Sequence, residues 1–320
     1  MPGSDGPPRG LAPLRRKPKQ LTAAPALFRT GTGAPFVVDD GDSRGNGAAT
    51  GPAGGQGALV TGQRAELRDV GELLEDVAPD PEIAAMAQRI GRRLAIRRRP
   101  RADRPERGSG RLSSVPYRYR SDDIDLDRTI EVLTERPVPE DTDIIVRERM
   151  QSRRDVVLVV DVSGSMRGEK VRIAAATVAA LSADLSAQGS RLALVAFWSD
   201  AALLKPLGAH VPASRLLDQL LRIPARGLTN VQFALAVAHA ELHRSSARRR
   251  TAVLLTDAVH NAGPDPRLTA RRFPELHVLL EIDGEHDTSL GADIARLGRG
   301  RLAPVATHRD VAPAVNRLLG

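Results

Sequence analysis

The residues of this chain best equipped for chemistry carry oxygen and are small. Asp161, Ser163 and Ser165 fall within "DVVLVVDVSGSM", residues 155–166, Thr229 within "GLTN", and Asp257 at the end of "VLLTD". Two carboxylates and three hydroxyls are hard ligands, with no sulfur and no necessary imidazole. Such a set suits an octahedral Mg²⁺ or Mn²⁺ that keeps some of its waters, rather than zinc or copper. Asp and Ser also favour turns on their own account, and a threonine before a helix is an ordinary N-cap, so each segment alone says little.

The elements around them say more. "VVLVVDV" is a continuous apolar, mostly β-branched run, as expected of a strand buried on both faces of a parallel sheet. A helix is predicted from about Glu169 to Ala187, with Val171, Ala174, Val178, Leu181 and Leu185 on one side and Gly189 just past its end. Then come strand "RLALVAF", an edge strand "AALLKPL", helix "ASRLLDQLLRI", loop "PARGLTN" and helix "VQFALAVAHAELHRSS". Strands "TAVLLTDA" and "LHVLLEID", helix "LGADIARLG", strand "RLAPVA" and a terminal helix complete the series. Alternation of this kind predicts an α/β fold, a doubly wound, mostly parallel sheet with helices on both faces. Ligands of such sheets sit outside the carboxyl ends of the strands, where strand order reverses. Asp161 and Asp257 end two strands, Ser163 and Ser165 ride the loop after the first, and Thr229 precedes a helix; Gly164 relieves crowding in the turn.

In that order and on those elements, "DVSGSM", "GLTN" and "LLTD" resemble the metal-ion-dependent adhesion site of a von Willebrand factor A (VWA) domain, over roughly residues 155–320. The resemblance implies a Rossmann-like fold and a metal site of Asp161, Ser163, Ser165, Thr229 and Asp257 holding Mg²⁺ or Mn²⁺. It also implies a protein partner whose acidic side chain completes the coordination, and a non-catalytic binding subunit rather than an enzyme. Ala258 departs from the pattern, which leads one to expect glycine there. The lead-in "VRERMQSRRDVVLVVDVSGSM" is most similar to intracellular bacterial members of the CoxE type and to chelatase D subunits. That likeness implies an adaptor for a MoxR-type AAA+ ATPase or its client, working in complex maturation or metal insertion. A chelatase-like subunit of an enzyme assembly is one alternative.

The rest of the chain divides by composition. Residues 1–62 are rich in Gly, Pro and Ala with little to bury and read as a disordered head. Residues 63–99 read as a helical pair with a basic tail: Leu67, Val70, Leu74 and Val77 recur at helical spacing, and Asp80 would cap a second helix that begins at Pro81. Residues 100–154 read as an extended linker, basic and then acidic, with a short helix near 127–133, and residues 155–320 as the VWA domain. The net charge is +8, yet twelve arginines between Arg89 and Arg120 face only Asp103 and Glu106, and an acidic block follows from Asp122 to Glu148. Adjacent blocks of opposite sign can pair with each other. A nucleic-acid-associated protein working through the arginine block is therefore a second alternative, weakened by the scarcity of interleaved aromatics for base stacking.

Zero cysteines exclude disulfides, thiolate metal sites and cysteine nucleophiles. No stretch approaches the roughly 18 consecutive apolar residues of a membrane span, and no apolar secretory region opens the chain, so a cytoplasmic protein is expected. The absence of G-x-x-x-x-G-K-[ST] argues against a P-loop.

Four further features compete for attention. "DLDRT", Asp125 to Thr129, matches the D-x-D-x-T of aspartate-nucleophile phosphatases, but that chemistry needs a buried strand before it and here "YRYRSDDI" precedes. His239 and His243 stand four apart around Glu241 without an apparent third zinc ligand. His260 and Asn261 follow Asp257 closely enough to line the rim of the site. Trp198, the single tryptophan, is expected to pack at the end of the second strand.

Overall fold

The computed structural model describes residues 18–19, 21, 23–30, 57–60, 63–76, 80–97, 112–117, 123–135, 140–149, 154–163, 168–187, 190–224 and 227–319. Ahead of the central domain lie β1 (Ala26–Arg29), β2 (Gly57–Val60), β3 (Gln63–Asp69), α1 (Pro81–Arg97), β4 (Leu112–Pro116), α2 (Leu126–Glu135) and β5 (Ile145–Arg149). The regular alternation follows: β6 (Arg154–Asp161), α3 (Glu169–Ala187), β7 (Arg191–Phe197), β8 (Ala201–Lys205), α4 (Ala213–Leu221), α5 (Val231–His243) and β9 (Arg249–Thr256). It closes with α6 (Pro266–Ala270), β10 (Leu276–Glu281), α7 (Thr288–Leu297), β11 (Arg299–Val305) and α8 (Val311–Leu319).

Nine strands form one sheet in the order β11-β10-β9-β6-β7-β8-β1-β3-β2. Every pairing from β11 to β7 is parallel, β8 is antiparallel to β7, and β2 is antiparallel to β3. β6 is buried along its whole length because helices cover both faces. Val156, Leu158 and Val160 point into one core with α1, α3, α4 and α8, while Val157 and Val159 point into the other with α5 and α7. The two-residue period of a strand divides one apolar run between two cores. From β6 the chain winds outward through β7, then returns to β9 on the other side of β6. The order therefore reverses between β6 and β9, the crevice where a doubly wound sheet binds ligands.

Several expectations need correction. The stretch around Leu67 is not helical: it forms β3, paired in parallel with β1, and a short 3-10 helix follows at Val70–Glu72. Leu67, Val70 and Leu73 are apolar enough for either element, and the sheet edge, which supplies partners for the backbone, decides. Within the span read as a disordered head, Ala26–Arg29 is a strand inserted between β8 and β3, so β8 is not an edge strand. Within the span read as an extended linker, β4 and β5 form an antiparallel pair and Asp125 opens α2. The Asp125 carboxylate accepts from Ser114 Oγ at 2.5 Å, and Thr129 Oγ1 accepts from Ile145 N at 2.9 Å. The D-x-D-x-T match thus fastens a helix to the β4–β5 strand pair and does not end a buried strand. The arginine block lies largely outside the described residues. Among the described residues, no helix is long and apolar enough to cross a membrane.

β1 is tied in by its side chains as well as its ladder. Ala26 N donates to Asp200 Oδ1 at 2.7 Å, and the Phe28 ring lies 5.9 Å from the buried Trp198 indole. Asp80, as expected, accepts from Glu82 N at the start of α1, at 2.8 Å. Phe28→Ala opens a cavity against that indole and is expected to cost about 3–5 kcal/mol in denaturant unfolding. Because Trp198 is the single tryptophan, its native emission should shift to the red in the same variant.

Candidate functional site

Four of the five expected site residues converge at the sheet crevice; Ser165 lies outside the described residues. Asp161 ends β6 and is 3% exposed. Its Oδ1 accepts from Ser163 N at 3.0 Å and its Oδ2 from Thr256 Oγ1 at 2.7 Å, so the loop that follows β6 and the neighbouring strand β9 fix the carboxylate. Ser163, buried, follows at once. Thr229 is held from the next loop: its N–H donates to Asn261 Oδ1 at 2.7 Å, and its carbonyl accepts from Asn261 N and Ala262 N. The helix cap belongs to its neighbour, since Asn230 Oδ1 accepts from Phe233 N at 3.1 Å. That leaves the Thr229 hydroxyl without a capping task.

Asp257 follows β9 in a turn built from its own atoms. Its Oδ1 accepts from Val259 N at 3.0 Å, and Ala258 N donates to Thr256 Oγ1 at 3.0 Å. Ala258 adopts φ 61°, the left-handed conformation for which glycine was expected. The turn forms all the same, with the alanine methyl buried and the strain held by these hydrogen bonds.

An open depression of about 380 Å³ lies above, lined by Ser163, Lys170, Thr229, Asp257, Asn261, Asp283 and Glu285 among others. Asp161, 3% exposed, is not part of the lining. Three charged groups here were not anticipated. Lys170, in the first turn of α3, donates from Nζ to Asp257 Oδ2 at 2.7 Å, with side chains only 10% and 8% exposed. Glu281, the last residue of β10, is 2% exposed, and its Oε1 has no hydrogen-bond partner. Asp283 follows it at the rim. Sequence signals for them exist: a lysine in a helix's first turn opposes the macrodipole, and "VLLEID" puts a carboxylate where an apolar strand should end.

Burial and then the nearby Asp257 carboxylate raise the Asp161 carboxyl from 3.8 to about 6, although Thr256 and Ser163 pull the other way. Burial, followed by Asp161, pushes Glu281 well above the ordinary glutamate value, against the favourable field of Lys170. Burial acts to lower Lys170, but Asp257, Glu281 and Asp161 outweigh it and hold the ammonium charged above its usual range.

The remaining candidates fall elsewhere. Asn261 lines the depression; His260 does not, and burial lowers its basicity. His239 sets its ring edge-on to Phe273 at 5.5 Å, and burial pushes it down to about 4. Glu241 turns away to accept from Leu207 N at 3.0 Å, so His239, Glu241 and His243 build no metal site. Among the described residues, no group of three His, Cys, Asp or Glu side chains gathers in a metal-holding arrangement. Any cation here must rely on hydroxyls beside two aspartates.

Residues 156–260 match the family model of the von Willebrand factor type A domain. An uncharacterised Mycobacterium tuberculosis protein, Rv2850c, is 36% identical over 140 residues, which cover 41% of this chain and 21% of that relative. The match thus spans about a fifth of the relative's length. An aerotolerance-related membrane protein from Bacteroides fragilis superposes with TM-score 0.44 at 17% identity, covering 52% of this chain and 98% of that one. A von Willebrand factor type A structure from Catenulispora acidiphila gives TM-score 0.41 at 18% identity, covering 53% and 42%. Over residues 156–260 the chain is thus similar to the von Willebrand factor type A domain, a family whose members are generally protein-interaction modules and usually non-catalytic.

Proposed function

We propose that Asp161, Ser163, Ser165, Thr229 and Asp257 form a metal-ion-dependent adhesion site for Mg²⁺ or Mn²⁺, and that the domain captures a carboxylate of a partner protein through it. The observation that carries this reading is the buried pair of aspartates at the strand-order reversal, together with a depression lined by Ser163, Thr229 and Asp257. The donors fit a hard cation, all being oxygen. Burial and the neighbouring Asp257 carboxylate raise the Asp161 carboxyl, and the Glu281 oxygen has no partner, so added positive charge is favoured here. When bound, the cation supplies a directional bond for an incoming carboxylate. The chain's own residues do the rest: Thr256 and the Ser163 N–H orient Asp161, and Asn261 holds the Thr229 loop.

The partner in this reading is a MoxR-type AAA+ ATPase or its client, and the chain is its adaptor in complex maturation or metal insertion. Support for that finer step comes from the resemblance of the lead-in to β6. A pull-down with wild type and Asp161→Ala, each with Mg²⁺ and with chelator, tests it. An ATPase or client retained only by wild type with Mg²⁺ supports the reading; the same partners in all four arms overturn it.

Two further outcomes are expected. Mn²⁺ at about 100 times its Kd should stabilise the protein by about 2.7 kcal/mol in thermal unfolding, and Asp161→Asn should abolish that response. Asp161 must be ionised to hold a cation, so the response should fade as pH drops below about 6. Without metal the sign reverses. A carboxyl ionising at 3.8 in the unfolded chain but near 6 in the fold costs stability as pH rises between those values. In chelator at pH 8, Asp161→Asn should therefore be more stable than wild type by about 1–3 kcal/mol.

A further inference from the structure

Lys170 is poorly placed by every local rule. It lies in the first turn of α3, where the helix dipole disfavours a cation, and its ammonium is largely withdrawn from water. What holds it there is the 2.7 Å ion pair with Asp257, one of the proposed metal ligands. One lysine is thus paired with a carboxylate oxygen that a bound cation would also need. A second acceptor stands by: Glu281, at the end of the neighbouring strand β10, is buried, within the electrostatic reach of Lys170, and has an oxygen bonded to nothing.

We propose that Lys170 is a built-in competitor for the divalent cation. It neutralises Asp257 when the site is empty and transfers to Glu281 when a cation is bound. This deepens the adhesion-site reading and rests on it. Pairing with Asp257 keeps the empty site from leaving three neighbouring carboxyl groups without a cation. It also weakens metal binding, because the cation must displace an existing charge-assisted hydrogen bond. Glu281 limits that cost by giving the displaced ammonium a partner inside the protein, and this accounts for an otherwise unexplained buried carboxyl. Divalent affinity is then set by the exchange of one lysine between two carboxylates, as well as by the ligands themselves.

The test is Mn²⁺ titration of the full chain, read by the loss of the free Mn²⁺ spin-resonance signal. Lys170→Met should bind Mn²⁺ more tightly than wild type, by about tenfold, the ordinary scale of coupling between two ligands of one site. Lys170→Gln, which keeps a polar chain, serves if the methionine variant fails to fold. Glu281→Gln should weaken binding by about tenfold in wild type, yet have little effect once Lys170 is removed, because its role is to receive the lysine. Unchanged or weaker binding by both Lys170 variants overturns the proposal while leaving the adhesion site standing if wild type binds Mn²⁺. An equal effect of Glu281→Gln with and without Lys170 overturns the transfer. Absence of Mn²⁺ binding by wild type and both Lys170 variants overturns the competition and the adhesion-site reading together. Binding that appears only when Lys170 is removed supports the competition directly.

Discussion

Three buried carboxyl groups, Asp161, Asp257 and Glu281, lie within electrostatic reach of one another at the carboxyl ends of β6, β9 and β10, each at most 6% exposed. Carboxylates withdrawn from water repel one another and lose hydration, and a fold keeps them only with compensating charge or protons. Here the compensation is partial: Asp161 is bonded on both oxygens, Asp257 is paired with Lys170, and one Glu281 oxygen has no partner. The sheet around them exists in a form that makes this arrangement tolerable. β6, β9 and β10 are apolar, central and hydrogen-bonded on both sides, so their carboxyl ends are fixed in position while the charged residues sit just past the last apolar pair.

That rigidity propagates outward. The loop bearing Thr229 is pinned by Asn230 N to the Trp198 carbonyl at 2.7 Å and by the Asn261 side chain to the Thr229 N–H. Trp198 is in turn packed against Phe28, so a strand from near the start of the chain stiffens the wall beside the site. On the far rim, Lys19 N donates to the Asn261 carbonyl at 2.8 Å, and Gly263 N donates back to Lys19. The segment before β1 therefore runs along the same loop that holds Thr229. Geometry at the site depends on parts of the sequence more than 200 residues apart.

The α/β architecture and the convergence of Asp161, Ser163, Thr229 and Asp257 were legible in the sequence because they rest on local signals. A continuous apolar run reads as a central strand whatever surrounds it, and small polar residues at its end mark a strand-to-helix turn. The misses share a physical cause. Ala26–Arg29 and Gln63–Asp69 are strands because an existing sheet offers them partners, and no four- or seven-residue window contains that information. Helical spacing at Leu67, Val70 and Leu74 was real but satisfied by burial in a different element. Lys170 and Glu281 were missed for the opposite reason: the sequence showed them plainly, but a charge becomes informative only when its burial is known.

Ala258 shows how far the site constrains its surroundings. Its φ of 61° would be relieved by glycine, yet the methyl is fully buried in the core beneath the loop. A left-handed alanine costs roughly 1–2 kcal/mol, comparable to what burying a methyl returns together with the lower entropy of a non-glycine chain. Glycine is thus not the only residue the turn accepts, provided that the Ala258 N–H reaches Thr256 and the Val259 N–H reaches Asp257, as both do at 3.0 Å. The same Thr256 hydroxyl that accepts from Ala258 donates to Asp161. A strained backbone residue, a threonine and the aspartate at the centre of the site are therefore one hydrogen-bonded unit, in which the direction of each bond is fixed by the next.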